Sequence, residues 1–417
     1  MALSLKKNFG FALLGNLGYA TCQYIILLTF VKLYSLDDVG VFVYAGAFST
    51  PLMMALDMHL RNFYITDQEN HFSFSTYLTF KTITNFIGIL LLGITAFLIK
   101  PLYFNLIIIV VFIKVFESQL DLIYGVYQKH NRLDYIAYSR ILRGVIAVII
   151  VFLISYFVND IFYSLLSYLL IWFFLYFFYE RKQVVKRGFI EQEDLKLISP
   201  KWKLMKPLLV LGIPMFVSIF IDKYYANYPR ITVENFLGVE MLGVFGSLLY
   251  FKSVGGQFIG SLAQSAVPKL ATYFKDKKIN HFNKLLIKMM FIGFLIGFFL
   301  TSVAYFLGEN LLVILYTSEY AKYSNVLVLV LLGATVTFSY AYIATALTCI
   351  RKQWLRLPVS IISFIFLFLL FKFKGITTLM EAATLILYVE CFTFLIYFIV
   401  YVVFLRKEIN SWEVKPN

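Results

Sequence analysis

Twelve apolar runs, each close to 20 residues long, restrict what this chain can fold into more than any other feature. A helix rises about 1.5 Å per residue, so a run of that length crosses the roughly 30 Å hydrocarbon layer of a bilayer. The runs lie near 9–34, 39–60, 75–99, 105–127, 135–157 and 161–179, then 207–232, 240–266, 283–306, 324–349, 357–373 and 381–405. Backbone groups inside lipid must be satisfied within their own segment, so an all-α, polytopic membrane protein of 12 transmembrane helices is expected. The first run lacks a small-residue cleavage site and reads as an uncleaved span. With 61% apolar and only 14% charged residues, a water-soluble fold is excluded. A net charge of +14 does not make a nucleic-acid binder, because no polar segment is large enough to present a basic face. Cys22, Cys349 and Cys391 sit within the runs, and His59, His71, His130 and His281 are scattered without ligand spacing. No disulfide, metal or cofactor is therefore expected.

The basic residues orient the spans. Most lysines and arginines fall at the two ends and in alternate loops, leaving Lys32, Lys100, Lys322, Lys372 and Lys374 on the opposite side. Basic loops stay cytoplasmic, so both termini are expected there. The polar segment from Glu180 to Lys206 separates six spans from six, giving an N-lobe over 1–180, a basic cytoplasmic linker over 181–206 and a C-lobe over 207–417. An even number of spans per half makes the repeat parallel, about an axis along the membrane normal. One motif occurs in both halves: Leu36-Asp37-Asp38-Val39-Gly40-Val41-Phe42 aligns with Val239-Glu240-Met241-Leu242-Gly243-Val244-Phe245. Asp37, Asp38 and Glu240 read as carboxylates at helix starts, facing the positive end of the dipole. Outer loops are short. In the longest, Leu311 to Tyr316 reads as an interfacial piece, with Tyr316, Tyr320 and Tyr323 in the aromatic belt.

Charges inside the runs carry the functional signal. An ionisable side chain costs roughly 2.5–3.5 kcal/mol at a helix centre, so it faces protein or a water-filled cavity. Lys252 and Lys114 fall near the midplane, Lys223 somewhat toward the outer half, Arg230 close to the outer surface and Arg61 at the cytoplasmic end of its span. Lys114, Glu117, Asp121 and Gln128 form one polar stripe, and Lys223, Asn227 and Arg230 repeat the spacing. Two readings compete. Lys114 with Glu117 or Asp121, and Asp57 with Arg61, lie one or two turns apart and could be structural pairs. Lys252 has no acidic neighbour on its own helix, so its counter-charge comes from another helix or a ligand. Arg230 fits an interfacial anchor, and Arg140 with Arg143 fits headgroup contact as well as a substrate vestibule. Glu390, Asp121, Asp57 and Asp222 are the acids available to couple a proton or sodium ion.

The complete layout resembles the polysaccharide transporters of the MOP (multidrug/oligosaccharidyl-lipid/polysaccharide) exporter superfamily, specifically the Wzx-type O-antigen flippases. The resemblance rests on six plus six spans, the basic linker, the acidic-x-x-Gly-x-Phe turn with its second copy, and Pro229-Arg230 late in span 7. It implies two six-helix lobes in a V around a cationic cavity. It also implies transport, without enzymatic activity, of undecaprenyl-pyrophosphate-linked sugar repeat units across the bacterial inner membrane by alternating access. The family's basic residues carry over in kind only, onto Arg61, Lys114, Lys223, Arg230 and Lys252. The implied partners are the lipid-linked oligosaccharide, membrane lipids, a coupling H+ or Na+, and a glycan polymerase with its chain-length regulator. A MATE-like drug exporter would favour acids over lysines in its cavity. A major-facilitator carrier would show Gly-x-x-x-Asp-Arg/Lys-x-Gly after span 2, where Leu60 to Asp67 lacks it. A glycan polymerase or glycosyltransferase would display a large outer loop or a catalytic acid pair.

Overall fold

The computed structural model describes residues 5–413 apart from 68, 70, 200, 201 and 351, and the side chains of these residues apart from 5, 6, 264, 265, 353 and 405–413. Both chain ends, on which the expected cytoplasmic termini bear, lie outside the described residues. Among the described residues there is no strand. The helices are α1 (Leu5–Leu33), α2 (Leu36–Leu56), α3 (Leu60–Thr66), α4 (Phe74–Ile99), α5 (Phe104–Lys129), α6 (Leu133–Val158) and α7 (Ile161–Phe174). A π-helical turn over Leu175–Glu180 joins α7 to α8 (Arg181–Lys186). Then follow α9 (Trp202–Leu237), α10 (Val239–Lys275), α11 (Ile279–Leu315), α12 (Ser324–Cys349), α13 (Arg356–Lys374) and α14 (Leu379–Glu413).

Ten of the described helical segments are long and apolar enough to cross a membrane. Helices α5 and α10 match them in length but carry Lys114, Glu117 and Asp121, and Lys252, in their interiors. With them the long helical segments number twelve, the number of spans expected. The chain is a multi-pass, all-helical membrane protein.

Local chemistry explains the helix starts. Ser35 caps α2: its hydroxyl accepts from the Asp38 amide and donates to the Asp38 carboxylate at 2.6 Å. Asp37 and Asp38 occupy the first turn of α2, and Glu240 occupies that of α10, as expected of helix-start carboxylates. Two expectations fail. Span 2 is not one helix to residue 60: Met58 (φ 45°) and His59 (φ 54°) adopt left-handed backbone, ending α2 and restarting the chain as α3. Leu311–Leu315 is the last turn of α11 rather than a separate piece. Tyr316 and Tyr320 are buried there, and the Tyr316 hydroxyl donates to the Ser247 carbonyl at 2.9 Å.

By contact the chain divides into two compact units. One is Met1–Glu234 with Val239–Gly243, and the other is Asn235–Gly238 with Val244–Asn417. In the first, α1 runs along α6 and α2 along α5; in the second, α12 packs between α11 and α14. The duplicated motif has a packing role inside the first unit. A Cβ on Gly40 would overlap the carbonyl of Val239, and one on Gly243 would overlap that of Leu36. Each copy's glycine therefore admits the backbone of the other copy.

Gly40→Ala is expected to lower the melting temperature in detergent, at a cost of about 1–3 kcal/mol for overpacking. Gly46→Ala, on the same helix with open space at its Cβ, is the control expected to be neutral or mildly stabilising. Equal melting temperatures for the two variants would contradict the backbone contact.

Candidate functional site

Helix α5 is the polar axis of the first unit. Its stripe positions fall on one face, and each finds a partner of opposite charge or a hydrogen bond. Lys114 Nζ donates to Glu117 Oε2 at 2.7 Å, one turn along the same helix. Arg61, on α3, spans two positions of the stripe: one guanidinium nitrogen donates to Asp121 Oδ1 at 2.7 Å and another to Gln128 Oε1 at 2.6 Å. Asp57 ends α2 immediately before the break, facing Lys81 Nζ of α4 at 3.1 Å and accepting from the Ser118 hydroxyl.

These contacts correct one expected pairing. Asp57 and Arg61 do not meet, because the left-handed residues Met58 and His59 redirect the chain between them. Asp57 pairs with Lys81, and Arg61 with Asp121. Lys81 is wholly buried and was not among the expected site residues. The signal was a lysine inside an apolar run, but its partner lies 24 residues away on a helix whose break has no proline or glycine to announce it.

Behind the stripe lies a second polar layer that sequence spacing does not reveal. The buried Arg143 of α6 donates to the Tyr124 hydroxyl at 3.0 Å, and its guanidinium lies 3.9 Å from the Trp172 ring centre and 4.9 Å from that of Tyr19. Glu180, buried on the π-helical turn, accepts from Ser139, which in turn meets Tyr124 at 2.7 Å. Arg143 therefore serves neither of its expected roles; it is built into the wall. Arg140, half-buried one turn earlier, donates to the Asn16 side chain and lies 5.5 Å from the Tyr124 ring centre.

On α9, Asp222 and Lys223 are half-buried, and Arg230 donates to the buried Asn227 at 3.0 Å. The Asn227 side chain donates onward to the Lys223 carbonyl at 2.8 Å. The Arg230 guanidinium is thus turned back along the helix, which departs from the expected interfacial anchor.

The second unit holds a separate constellation. Lys252 Nζ of α10 donates to Glu390 Oε1 of α14 at 2.6 Å, and the Tyr340 hydroxyl of α12 donates to Glu390 Oε2 at 2.7 Å. Tyr340 stacks on Tyr397, with ring centres 5.3 Å apart. The counter-charge that Lys252 required is supplied by another helix. A residue expected to bind substrate and one expected to couple an ion are therefore a single pair.

The pairs are not sealed. The Lys114 and Glu117 side chains are 27% and 44% exposed, Asp121 36% and Lys252 23%. Chemically, each pair is neutral as it stands. It can receive an anion only when its acid takes up a proton or turns aside.

Removing one member of the Lys252–Glu390 pair leaves an uncompensated charge. Glu390→Leu is expected to lower the melting temperature while leaving a folded, inserted protein, and a Lys252→Met, Glu390→Leu double variant to recover most of that loss in thermal unfolding. Additive losses in the double variant would show that the two groups do not depend on one another.

Comparison with known proteins adds independent information. No protein-family model matches the chain. A capsular polysaccharide biosynthesis protein, CapF, of Staphylococcus aureus is 28% identical over 369 residues, covering 88% of this chain and 91% of that protein. Among solved structures, a MATE transporter in complex with MaL6 superposes with a TM-score of 0.67 at 13% identity, covering 98% of this chain and 97% of that one. An inward-facing multidrug resistance MATE family transporter of the MOP superfamily gives 0.65 at 13%, covering 100% and 97%. A MOP superfamily transporter from Pyrococcus furiosus, described by the reverse polarity of its binding pocket, gives 0.66 at 13%, covering 98% and 96%. The fold is that of the MOP-superfamily transporters. With the polysaccharide relative, this bears out the resemblance read in the sequence.

Proposed function

We propose that the protein is a flippase that moves undecaprenyl-pyrophosphate-linked oligosaccharide repeat units of a surface polysaccharide, O-antigen or capsular, across the bacterial inner membrane. The carrying observation is a whole-chain relative named for capsular polysaccharide biosynthesis, on a chain with a transporter fold. Transport involves no covalent step. In this reading the repeats are 1–180 and 207–417, joined by the 181–206 linker with both termini cytoplasmic. A glycan polymerase and its chain-length regulator are the partner proteins.

The paired charges supply a mechanism. A pyrophosphate group needs cations while it crosses a low-dielectric layer, and Lys252, Lys114, Arg61, Lys223 and Arg230 are the groups assigned to it. In their resting arrangement Lys252, Lys114 and Arg61 are held by Glu390, Glu117 and Asp121. Proton binding to an acid releases its cation for the phosphates, and release of the phosphates lets the pair re-form. Glu390 and Asp121 are thus coupling acids because they hold the cations, and Asp57, paired with the buried Lys81, is a third. Asp222, beside Lys223 on α9, completes the set. An inside-negative potential of 100 mV favours outward movement of each negative charge by about 2.3 kcal/mol. Alternating access between the leaflets is the movement this reading assigns to the protein.

A MATE-like exporter of small molecules is the second reading, favoured by the fold alone. Proteoliposomes loaded with labelled lipid-linked sugar separate the two. Leaflet transfer without chain growth supports the flippase, whereas efflux of organic cations without lipid transfer supports the exporter.

Two variant tests follow. Lys252→Ala and Lys114→Ala are expected to insert normally yet fail to restore surface glycan in a flippase-deficient strain; normal glycan in both would reject the assigned cations. Transport by the wild type is expected to rise with falling pH, and Glu390→Gln, which mimics the protonated acid, is expected to flatten that rise. An unchanged pH profile in that variant would remove Glu390 from the coupling.

A further inference from the structure

The second unit contains a cleft of about 580 Å³ whose walls are α11, α12 and α14. Ile287, Phe291 and Phe294 form one wall and Phe394 and Phe398 another, with Ile343 between them. Most of these side chains line the cleft and are also exposed, so it opens sideways along its length. From Asn283 to Phe294 the α11 wall runs for about 16 Å at the helical rise. The lining offers almost no polar surface, so water is a poor occupant and hydrocarbon a good one.

One end is chemically different. Asn283 and Tyr401 line that end, with the Tyr401 hydroxyl donating to Asn283 Oδ1 at 2.5 Å. Lys284 and Lys288 follow the lining residues Asn283 and Ile287 directly on α11; both are exposed and stand one turn apart. An apolar channel with one cation beside its Asn283 rim, Lys284, and a second one turn further along the wall, Lys288, complements a chain that carries an anionic head. In the proposed topology this rim is at the cytoplasmic surface, where a substrate made inside the cell would be loaded.

We infer that this cleft binds the polyprenyl tail of the lipid-linked substrate, with its phosphates meeting Lys284 beside the rim and Lys288 one turn along the same edge. The assignment rests on the flippase reading and deepens it: the tail is held by the second unit while the headgroup is passed to the midplane cations. An ordinary phospholipid would also offer acyl chains and a phosphate. A single branched chain with all its charge at one end suits a single cleft with one charged rim better than a two-tailed lipid.

The test uses the full-length protein in nanodiscs with an undecaprenyl-pyrophosphate-linked sugar carrying a photoreactive group in its tail. Crosslinks are expected on the α11 and α14 segments around Ile287–Phe294 and Phe394–Val402. They should be competed by unlabelled undecaprenyl phosphate far better than by phosphatidylglycerol, and weakened by the Lys284→Gln, Lys288→Gln double variant. Crosslinks confined to other helices, or equal competition by phosphatidylglycerol, would overturn the assignment. In proteoliposomes, Met290→Trp, which fills the cleft, is expected to lose transport of the undecaprenyl-linked substrate while retaining that of a short-prenyl analogue; equal treatment of both also overturns it. If the wild type moved no lipid-linked sugar at all, the flippase reading would fail, and the crosslink and competition would still decide the cleft.

Discussion

The structure depends on how a bilayer-spanning protein keeps charge in its interior. The penalty for an isolated ionised group at the membrane centre is comparable to a sizeable fraction of a domain's net stability, so it must be met locally. Here it is met by pairs. Lys114 with Glu117, Arg61 with Asp121, Lys81 with Asp57, and Lys252 with Glu390 each cancel at 2.6–3.1 Å. Three of the four link different helical segments, so the pairing also fixes how those segments sit within their own unit.

A neutral pair with a partly exposed edge has a second property. Its Coulomb attraction is moderate where water reaches it, so a competing anion or proton can change the partner without leaving a buried charge unpaired. A wholly sealed pair would be a structural rivet, and an unpaired lysine would bind anions but never let them go. The two constellations differ in depth. The first unit layers Arg143, Tyr124, Ser139 and Glu180 behind its stripe, giving the α5 charges a polar backing. The second places Lys252 and Glu390 against Tyr340 and the apolar faces of α12 and α14.

Much of this was legible in the sequence. The apolar runs gave the spans, because length and hydropathy are local properties, and the duplicated Gly40 and Gly243 motif marked a position whose importance the backbone contact explains. The i, i+3, i+7 stripe on α5 was readable because helical spacing alone decides it. Partners across helices were not. Nothing local announces that α2 breaks at Met58 and His59, so Arg61 could not be assigned to Asp121, nor Asp57 to Lys81. Neither Glu390 nor Lys252 has an oppositely charged neighbour on its own helix, and only tertiary packing joins them. Arg143 read as a headgroup or vestibule contact because it lies near a span end, whereas Trp172, Tyr19 and Tyr124 enclose it.

The central claim is that an anionic headgroup enters this protein by exchanging places with a carboxylate, which is protonated as it lets its cation go. Proton uptake on binding tests it most directly: lipid-linked pyrophosphate is added to detergent-solubilised protein in weakly buffered solution near neutral pH, and the change in pH is followed. About one proton or more should be taken up per ligand bound, as linkage between the two equilibria requires. Saturable binding with no proton uptake would contradict the account.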